Sequence, residues 1–336
     1  MKKFARIVAI ILLAGMILGI VLPNIIRAAD TDADLWIDPV NGRDTNNGTS
    51  ASTALKTIQA AKTKAATLSA SGDVVVILKG GVYDATTPIT FGSSDSGKNG
   101  NTITYRAAEG EEVLISGGQK LTGWTLYDAE NNIYVASIPS TAKLTRQFYV
   151  DGEPQTMARL ENSPLDWEAI TGGFQVPAKY NLKDLWHPEY VEFHTLYLWY
   201  HRIEHATGIN ADGTKIYEDS GCIPTWVAND YLFIDQAGEW YINRDTCKIY
   251  YKADGTMDGK EAYLPVTEQI IDMTYASNIT FEGITFSHTS YTHTSENQYL
   301  DQQANGHLYD GKWHPDRIII MRRTAGIKSG IHSPIN

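Results

Sequence analysis

The chain has 336 residues, 43% of them hydrophobic and 10% aromatic, with 19 Tyr and 8 Trp. That is enough apolar material for one large domain or two modest ones, and more Tyr and Trp than a core alone requires; their apolar faces and polar tips suit partly exposed surfaces on which sugar rings stack. A formal net charge of −11 argues against nucleic-acid binding, which needs Lys and Arg to neutralise phosphates, and disfavours polyanionic ligands, leaving neutral glycans as the easier partner.

At the N-terminus, Lys2, Lys3 and Arg6 precede an apolar run from Ile7 to Leu22, followed by Pro23 and the small residues Ala28 and Ala29. This is the three-part layout of a secretory signal, giving a signal peptide over 1–28. The run is also close to the ~20 residues of a spanning helix, so a retained anchor is the alternative and the only route to a membrane. Either way the remainder is expected to be secreted or extracytoplasmic. Cleavage would delete the cationic Lys2, Lys3, Arg6 and Arg27 and no acidic residue, making the exported part more acidic still. Cys222 and Cys247 are either a disulfide or two free thiols in that oxidising setting.

The segment from Asp38 to Gly48 is rich in turn formers. Ser52 or Thr53 then reads as an N-cap, and Leu55, Ile58, Ala61, Ala65 and Leu68 follow at helical spacing. Short strands come next, clearest at Val74–Leu78, 89–91, 103–105 and 113–115, punctuated by glycines and without intervening helices. A parallel sheet linked by helices is thereby excluded, which leaves a sandwich or a solenoid. The run Ser277-Asn-Ile-Thr-Phe-Glu-Gly-Ile-Thr-Phe286 suits a solenoid: two alternating strands meet at a bend at Gly283. In a solenoid the preceding helix would cover the apolar end of the first strand layer.

Residues 144–264 differ. They hold Phe148–Val150, Leu196–Tyr200, Tyr231–Ile234, Trp240–Ile242 and Lys248–Tyr251, with hairpin turns at Asp151-Gly152, Asp212-Gly213 and Asp254-Gly255. They read as an inserted antiparallel β-sandwich. The expected organisation is cap and first coils over 29–143, insertion over 144–264, coils resumed over 265–321 with a strand at Asp316–Met321, and an irregular tail over 322–336.

Several blocks in fixed order carry a family resemblance: Trp36-Ile-Asp-Pro39 through Lys56-Thr-Ile-Gln-Ala-Ala61, Gly80-Gly-Val-Tyr83, Ile103-Thr-Tyr-Arg-Ala107, Ile115-Ser-Gly-Gly118, Gln147–Gly152 with Ala158-Arg159, Gly238–Arg244, and Asn278–Phe286 with His288 and Tyr299–Ala304. From Leu35 to Ala304 the chain resembles secreted right-handed parallel β-helix glycoside hydrolases: the β-xylosidase family with an inserted β-sandwich and the related fucosidase/xylanase family. The resemblance implies an all-β, pectin-lyase-type right-handed parallel β-helix with an N-terminal capping helix. It implies two catalytic carboxylates on successive coils, one protonating the leaving oxygen while the other attacks the sugar or activates water. In that family the acids follow the last matched block, and beyond Met321 no coil pattern continues. The expectation is a chain that stops before its catalytic coils, with a naturally short β-helix as the alternative. An uncapped end would favour self-association.

The candidate sugar-binding residues are Arg159, His288, Tyr299, Asp301 and Gln303, with Asp301 the best local candidate acid. Tyr299, Asp301 and Gln303 alternate and would share a face if extended. His288 and His293 either line the cleft or bond a turn. Arg159 either reaches the cleft or pairs with a structural carboxylate. Trp199 and Tyr200 are a stacking platform or sandwich core, and Glu282 reads as solvated face. No cofactor is expected: the sequence has no H-E-x-x-H, G-x-S-x-G, Walker A or G-x-G-x-x-G motif. No metal is expected either; no acidic cluster has EF-hand spacing, and turn formation accounts for Asp38 to Asp44. The leading function is a glycoside hydrolase, or the N-terminal part of one, acting on plant-type neutral polysaccharide such as xylan. A polysaccharide lyase on the same fold and a non-catalytic glycan-binding protein are the alternatives; the acidic balance weakens the lyase, which must neutralise a uronate.

Overall fold

The computed structural model describes residues 34–161, 167–177, 182–197, 200–217, 224–295, 299–301, 306–309 and 312–315. The expectations for 1–28, Asp316–Met321 and 322–336 lie outside these residues, as do Trp199, Cys222 and Gln303. Among the described residues the chain is mostly β with one α-helix, and its sheets mix parallel and antiparallel pairing.

Three sheets pair only in parallel. The first runs Leu35–Ile37, Val74–Leu78, Ile103–Ala107, Ile279–Glu282. The second runs Gly81–Asp84, Val113–Ser116, Ile284–Ser287, and the third pairs Ile89–Phe91 with Ile271–Met273. From Val74 the chain visits first, second and third sheet, then first and second again, and leaves at Ser116. It re-enters at the third sheet at Ile271 and resumes the same cycle. The excursion between these points does not disturb the phase.

Alternation explains which side chains meet inside. In parallel register, Leu35, Val76, Tyr105 and Phe281 form one row, Ile37, Leu78 and Ala107 another, and Tyr83, Ile115 and Phe286 a third. Successive inward positions are two residues apart. The Tyr105 ring stacks on Phe281 at 5.3 Å and 23° and meets Phe91 edge-on at 5.6 Å. Its hydroxyl is buried and has no hydrogen-bond partner among the described residues. Tyr105→Phe is therefore expected to be neutral or to stabilise by about 1 kcal/mol, since it deletes a desolvated hydroxyl and keeps the rings. Denaturant unfolding checks this; a loss above about 1 kcal/mol would reveal a partner for the hydroxyl.

The helix occupies Ile58–Leu68, and its N-cap is Thr57, whose hydroxyl accepts from the Ala60 amide. Ser52 and Thr53 instead lie in a 3-10 turn over Ala51–Thr53. Asp44 sets the boundary by accepting from the Lys56 and Thr57 amides and the Thr57 hydroxyl. Ile58, Ala61, Ala65 and Ala66 pack on the Leu35, Ile37 and Val76 side of the core, whereas Leu68 is 44% exposed. Asp38 likewise forms turns, accepting from the Val40 and Asn41 amides and pairing with Lys79 at 3.0 Å.

The excursion is built of antiparallel sheets around two further apolar clusters, one on Phe174, Phe193, Phe233 and Tyr241, the other on Phe148, Trp240 and Leu264. One parallel pair, Thr156–Met157 with Glu239–Asn243, interrupts the antiparallel pattern. The Asp151-Gly152 turn has positive φ at both residues (52° and 82°) and joins Tyr149–Val150 to Glu153–Pro154, as two-residue hairpins require.

Three sequence expectations change here. The run around Leu196 is not one strand: Glu192–Tyr197 and Tyr200–His205 pair as a hairpin. Tyr231–Phe233 is a 3-10 turn, because the Asp230 carboxylate takes the Leu232 amide. The strands Tyr299–Asp301, Gly306–Tyr309 and Lys312–Pro315 do not resume the parallel sheets. They extend the antiparallel sheet of the excursion, with Tyr299–Asp301 pairing against Tyr200–His205. In the returning segment, parallel pairing runs from Ile271 to Ser287.

Candidate functional site

The returning chain after Ser287 is stitched to the start of the excursion. The Thr145 hydroxyl donates to Ser290 Oγ at 2.7 Å, the Arg146 amide meets the same oxygen at 3.2 Å, and Ser295 Oγ donates to the Leu144 carbonyl at 2.7 Å. This seam carries the densest polar chemistry among the described residues.

At its centre Glu192 has no solvent exposure and receives both Arg146 guanidinium nitrogens at 2.6 Å. His194 Nε2 meets the second Glu192 oxygen at 3.0 Å, and Asn229 donates to the first at 3.3 Å. Burial alone would raise the Glu192 carboxyl, but the charge and hydrogen bonds of Arg146 outweigh it and hold the group well below the usual carboxylate range. Glu192 is thus a fixed anion and offers no acid chemistry. His194 Nδ1 lies 3.0 Å from His201 Nε2, and His194 stacks on Trp226 at 4.9 Å and 19°. Desolvation lowers both imidazoles, His201 to about 4.

Beside this cluster a pocket of about 310 Å³ opens between Glu189, Tyr190, His205, Thr207, Arg244 and Ser295. His205 Nε2 donates to the Thr294 carbonyl at 3.0 Å, which assigns Nδ1 as the remaining acceptor. The Arg244 guanidinium lies 4.3 Å over the Tyr190 ring and donates to the Ser295 carbonyl at 3.1 Å; burial lowers its pKa. The Tyr190 ring also carries the His187 imidazole at 5.0 Å, so it is already engaged. The pocket presents a guanidinium, an imidazole acceptor, a carboxylate and a hydroxyl, a set that matches vicinal hydroxyls.

The residues singled out from sequence are dispersed. His288 is buried at 3% exposure; its Nδ1 lies 2.8 Å from Ser116 Oγ, and its ring stacks on Tyr263 at 4.7 Å and 11°. It sits where the chain leaves and rejoins the parallel sheets, bonded in place and enclosed. Arg159 lies with its guanidinium 5.4 Å from the Trp226 ring, and its amide donates to Glu239 at 3.1 Å. Tyr299 and Asp301 occupy ladder positions opposite Ile203 and His201. His293 opens the 3-10 turn His293–Ser295, and Tyr200 begins its strand opposite Tyr197. Glu282 is exposed, in register with Arg106. Cys247 is partly buried, its thiol 3.8 Å from the Arg244 carbonyl.

Glu192, His194, His201, His205, Arg146 and Arg244 were not singled out from sequence. A signal existed: Glu192 and His194 stand two residues apart, and His201 and His205 four, within strands, a spacing that places each pair on one face.

The fold is similar to that of a solved structure described as "Glycoside hydrolase", with a TM-score of 0.68 and 24% identity over 84% of this chain and 56% of that one. The chain has a glycoside-hydrolase-like fold. It spans just over half the length of that structure. A second structure, described as "The complex structure of XylC with xylose", aligns with a TM-score of 0.41 and 18% identity over 76% of this chain and 35% of that one. No family model and no curated protein matches the chain.

In this glycoside-hydrolase-like fold the parallel rows can be searched for carboxylates on neighbouring strands, which stack about 4.8 Å apart. Outward rows read Trp36, Ile77, Arg106, Glu282; Val75, Thr104, Thr280; Asp84, Ser116, Ser287; and Thr90, Asp272. No row of the described residues contains two acids.

Proposed function

We propose that the chain is an exported carbohydrate-active protein built on a right-handed parallel β-helix with an antiparallel β-sandwich inserted over 144–264, and that it holds a neutral, xylan-like glycan at the seam. The fold likeness to a glycoside hydrolase over 84% of the chain carries this reading. The in-phase departure at Ser116 and return at Ile271 supports the β-helix, because an inserted domain on a solenoid must leave the coil sequence unbroken. The hydroxyl-matching groups of the seam pocket support a sugar there.

The described rows favour binding over hydrolysis. Retaining and inverting glycosidases need carboxyl pairs ~5–5.5 or ~6.5–9.5 Å apart, and the parallel strands supply no acid beside another. A lyase is less favoured, since the net charge of −11 disfavours a uronate ligand. Calorimetric titration of the chain with xylo-oligosaccharides, alongside a reducing-sugar assay, tests this. Binding is expected, with release of reducing sugar at background. Glu189→Gln changes an exposed pocket carboxylate and should weaken binding severalfold without altering the fold. Turnover of xylan or an aryl xyloside would overturn the binding-only part. Failure to bind any neutral glycan would overturn the whole, and appearance of unsaturated uronates would mean a lyase.

A further inference from the structure

We infer that Tyr127, Trp186 and Tyr231 form an aromatic platform on which a neutral polysaccharide chain lies as it runs on from the seam pocket, a surface that extends, and rests on, the reading of that pocket as a glycan site. The Trp186 and Tyr231 rings stack at 4.1 Å and 9°, and Tyr127 stands edge-on to them at 6.4 and 6.0 Å. Trp186 and Tyr231 are partly buried against an apolar cluster of the excursion, while Tyr127 is 51% exposed.

Two local devices hold these rings in place. Thr125–Asp128 pairs antiparallel with Ile133–Ser137, but the register shifts between Leu126, opposite Tyr134, and Asp128, opposite Ile133. Tyr127 is the extra residue of this bulge, and a bulge re-aims the side chain it carries. The Tyr127 ring meets Tyr250, on the strand beyond, edge-on at 5.0 Å. Asp230 fixes the other two rings. It is fully buried, accepts the Trp186 and His187 amides at 3.0 Å each, and accepts the Leu232 amide at 2.9 Å. One carboxylate thus clamps the loop that bears Trp186 to the turn that bears Tyr231. The stacked pair is set before a ligand arrives, so binding spends little on ordering side chains.

The occupant follows from the size and polarity of the patch. A stable protein partner needs about 800 Å² and roughly 20–30 residues a side. Here the large apolar side chains most open to solvent are Leu126, Tyr127 and Leu232, and the same segments expose the acids Glu130, Asp184 and Asp235. That is too little apolar surface for a protein and the wrong charge for a polyanion. A sugar ring needs only one or two aromatic rings, on which its C–H face rests while its hydroxyls reach the polar tips of tyrosine. Trp186 is three residues from Glu189, which lines the seam pocket, so their Cα atoms lie at most about 11 Å apart. One chain of several sugars can engage both.

The test compares a short and a long ligand on the full chain. Xylobiose, which occupies only the seam pocket, should bind wild type and Tyr127→Ala equally by calorimetry. Soluble xylan, followed by affinity electrophoresis, should bind Tyr127→Ala at least fivefold more weakly than wild type, and Tyr127→Phe, which keeps the ring, within twofold of wild type. Denaturant midpoints report whether the variants are folded. Iodination of wild type read by mass spectrometry needs no variant: bound xylan should protect Tyr127. Xylan binding unchanged in a folded Tyr127→Ala, or Tyr127 iodinated equally with and without bound xylan, overturns the platform and leaves the seam reading standing. Xylan held through Tyr127 with no xylobiose bound supports the platform and overturns the seam reading, and binding of neither ligand overturns both.

Discussion

Replacing Arg146 with Met is expected to destabilise the protein by about 3–5 kcal/mol, the cost of leaving a buried carboxylate without its cation. Glu192 is fully enclosed and both of its oxygens depend on Arg146. The His194 and Asn229 contacts that would remain donate to the carboxylate without supplying a buried positive charge at neutral pH. Replacing both partners, Arg146→Met with Glu192→Met, should recover much of the loss, because a buried ion pair owes little of its net value to its own attraction. The acid limb separates the two variants further. A carboxyl held below its unfolded value contributes stability that is present above the unfolded pKa and is lost as pH falls through the folded one. That contribution belongs to wild type and should be absent from either variant. Guanidinium unfolding at neutral and acid pH measures all of this. A loss below about 1 kcal/mol for Arg146→Met would show that water reaches Glu192 and that the seam is not the tie between the parallel sheets and the excursion.

How much of this could be seen in the sequence depends on whether a feature is local. The parallel strands were visible because their cause is local: Val74–Leu78 is β-branched and bounded by turns, and Ile279–Glu282 and Ile284–Ser287 alternate around a Gly283 whose φ of 65° suits glycine. The helix start was displaced because Ser52, Thr53 and Thr57 are all competent caps, and the choice among them is made by Asp44 from outside the helix. Tyr231–Phe233 was misread because a short apolar run has no period to separate strand from turn, and a single Asp230 hydrogen bond decides it. The strands from Tyr299 onward were assigned to the wrong sheet system, since which edge a strand joins is a tertiary fact. The seam cluster was hardest. Arg146, Glu192, Ser290 and Ser295 come from three separate parts of the chain, and none has local spacing that announces the others. The even spacing of Glu192 and His194, and of His201 and His205, was the available clue.

The stability of the protein is expected to fall as pH drops from 6.5 toward 4, and His288 supplies a separable share of that fall. Its imidazole lies among Ser116, Tyr149 and Tyr263, with no carboxylate among its hydrogen-bond and ring contacts. Burial lowers its pKa from 6.5 to about 4. The unfolded chain therefore takes up this proton near pH 6.5 and the folded chain only near 4. The contribution is fully present above 6.5 and drains away as pH falls through that window. At 1.36 kcal/mol per unit the whole step is worth about 3 kcal/mol. His194 and His201 are lowered too, so the wild-type curve is steeper than one site would make it, and the isolated term must come from a difference. His288→Asn is suited to that purpose, because the site has a φ of 66° and Asn tolerates the left-handed region. The variant loses the stacked ring and should be less stable than wild type at pH 7. Because it carries no titrating group, the gap between the two proteins should then narrow by up to about 3 kcal/mol on going to pH 4. Denaturant midpoints taken at pH 7, 6, 5 and 4 measure that gap. A gap that stays constant would mean that folded His288 titrates near its ordinary value, which requires solvent to enter between Gly118 and the histidine, where even an added Cβ on Gly118 would lie 2.8 Å from His288 Cβ.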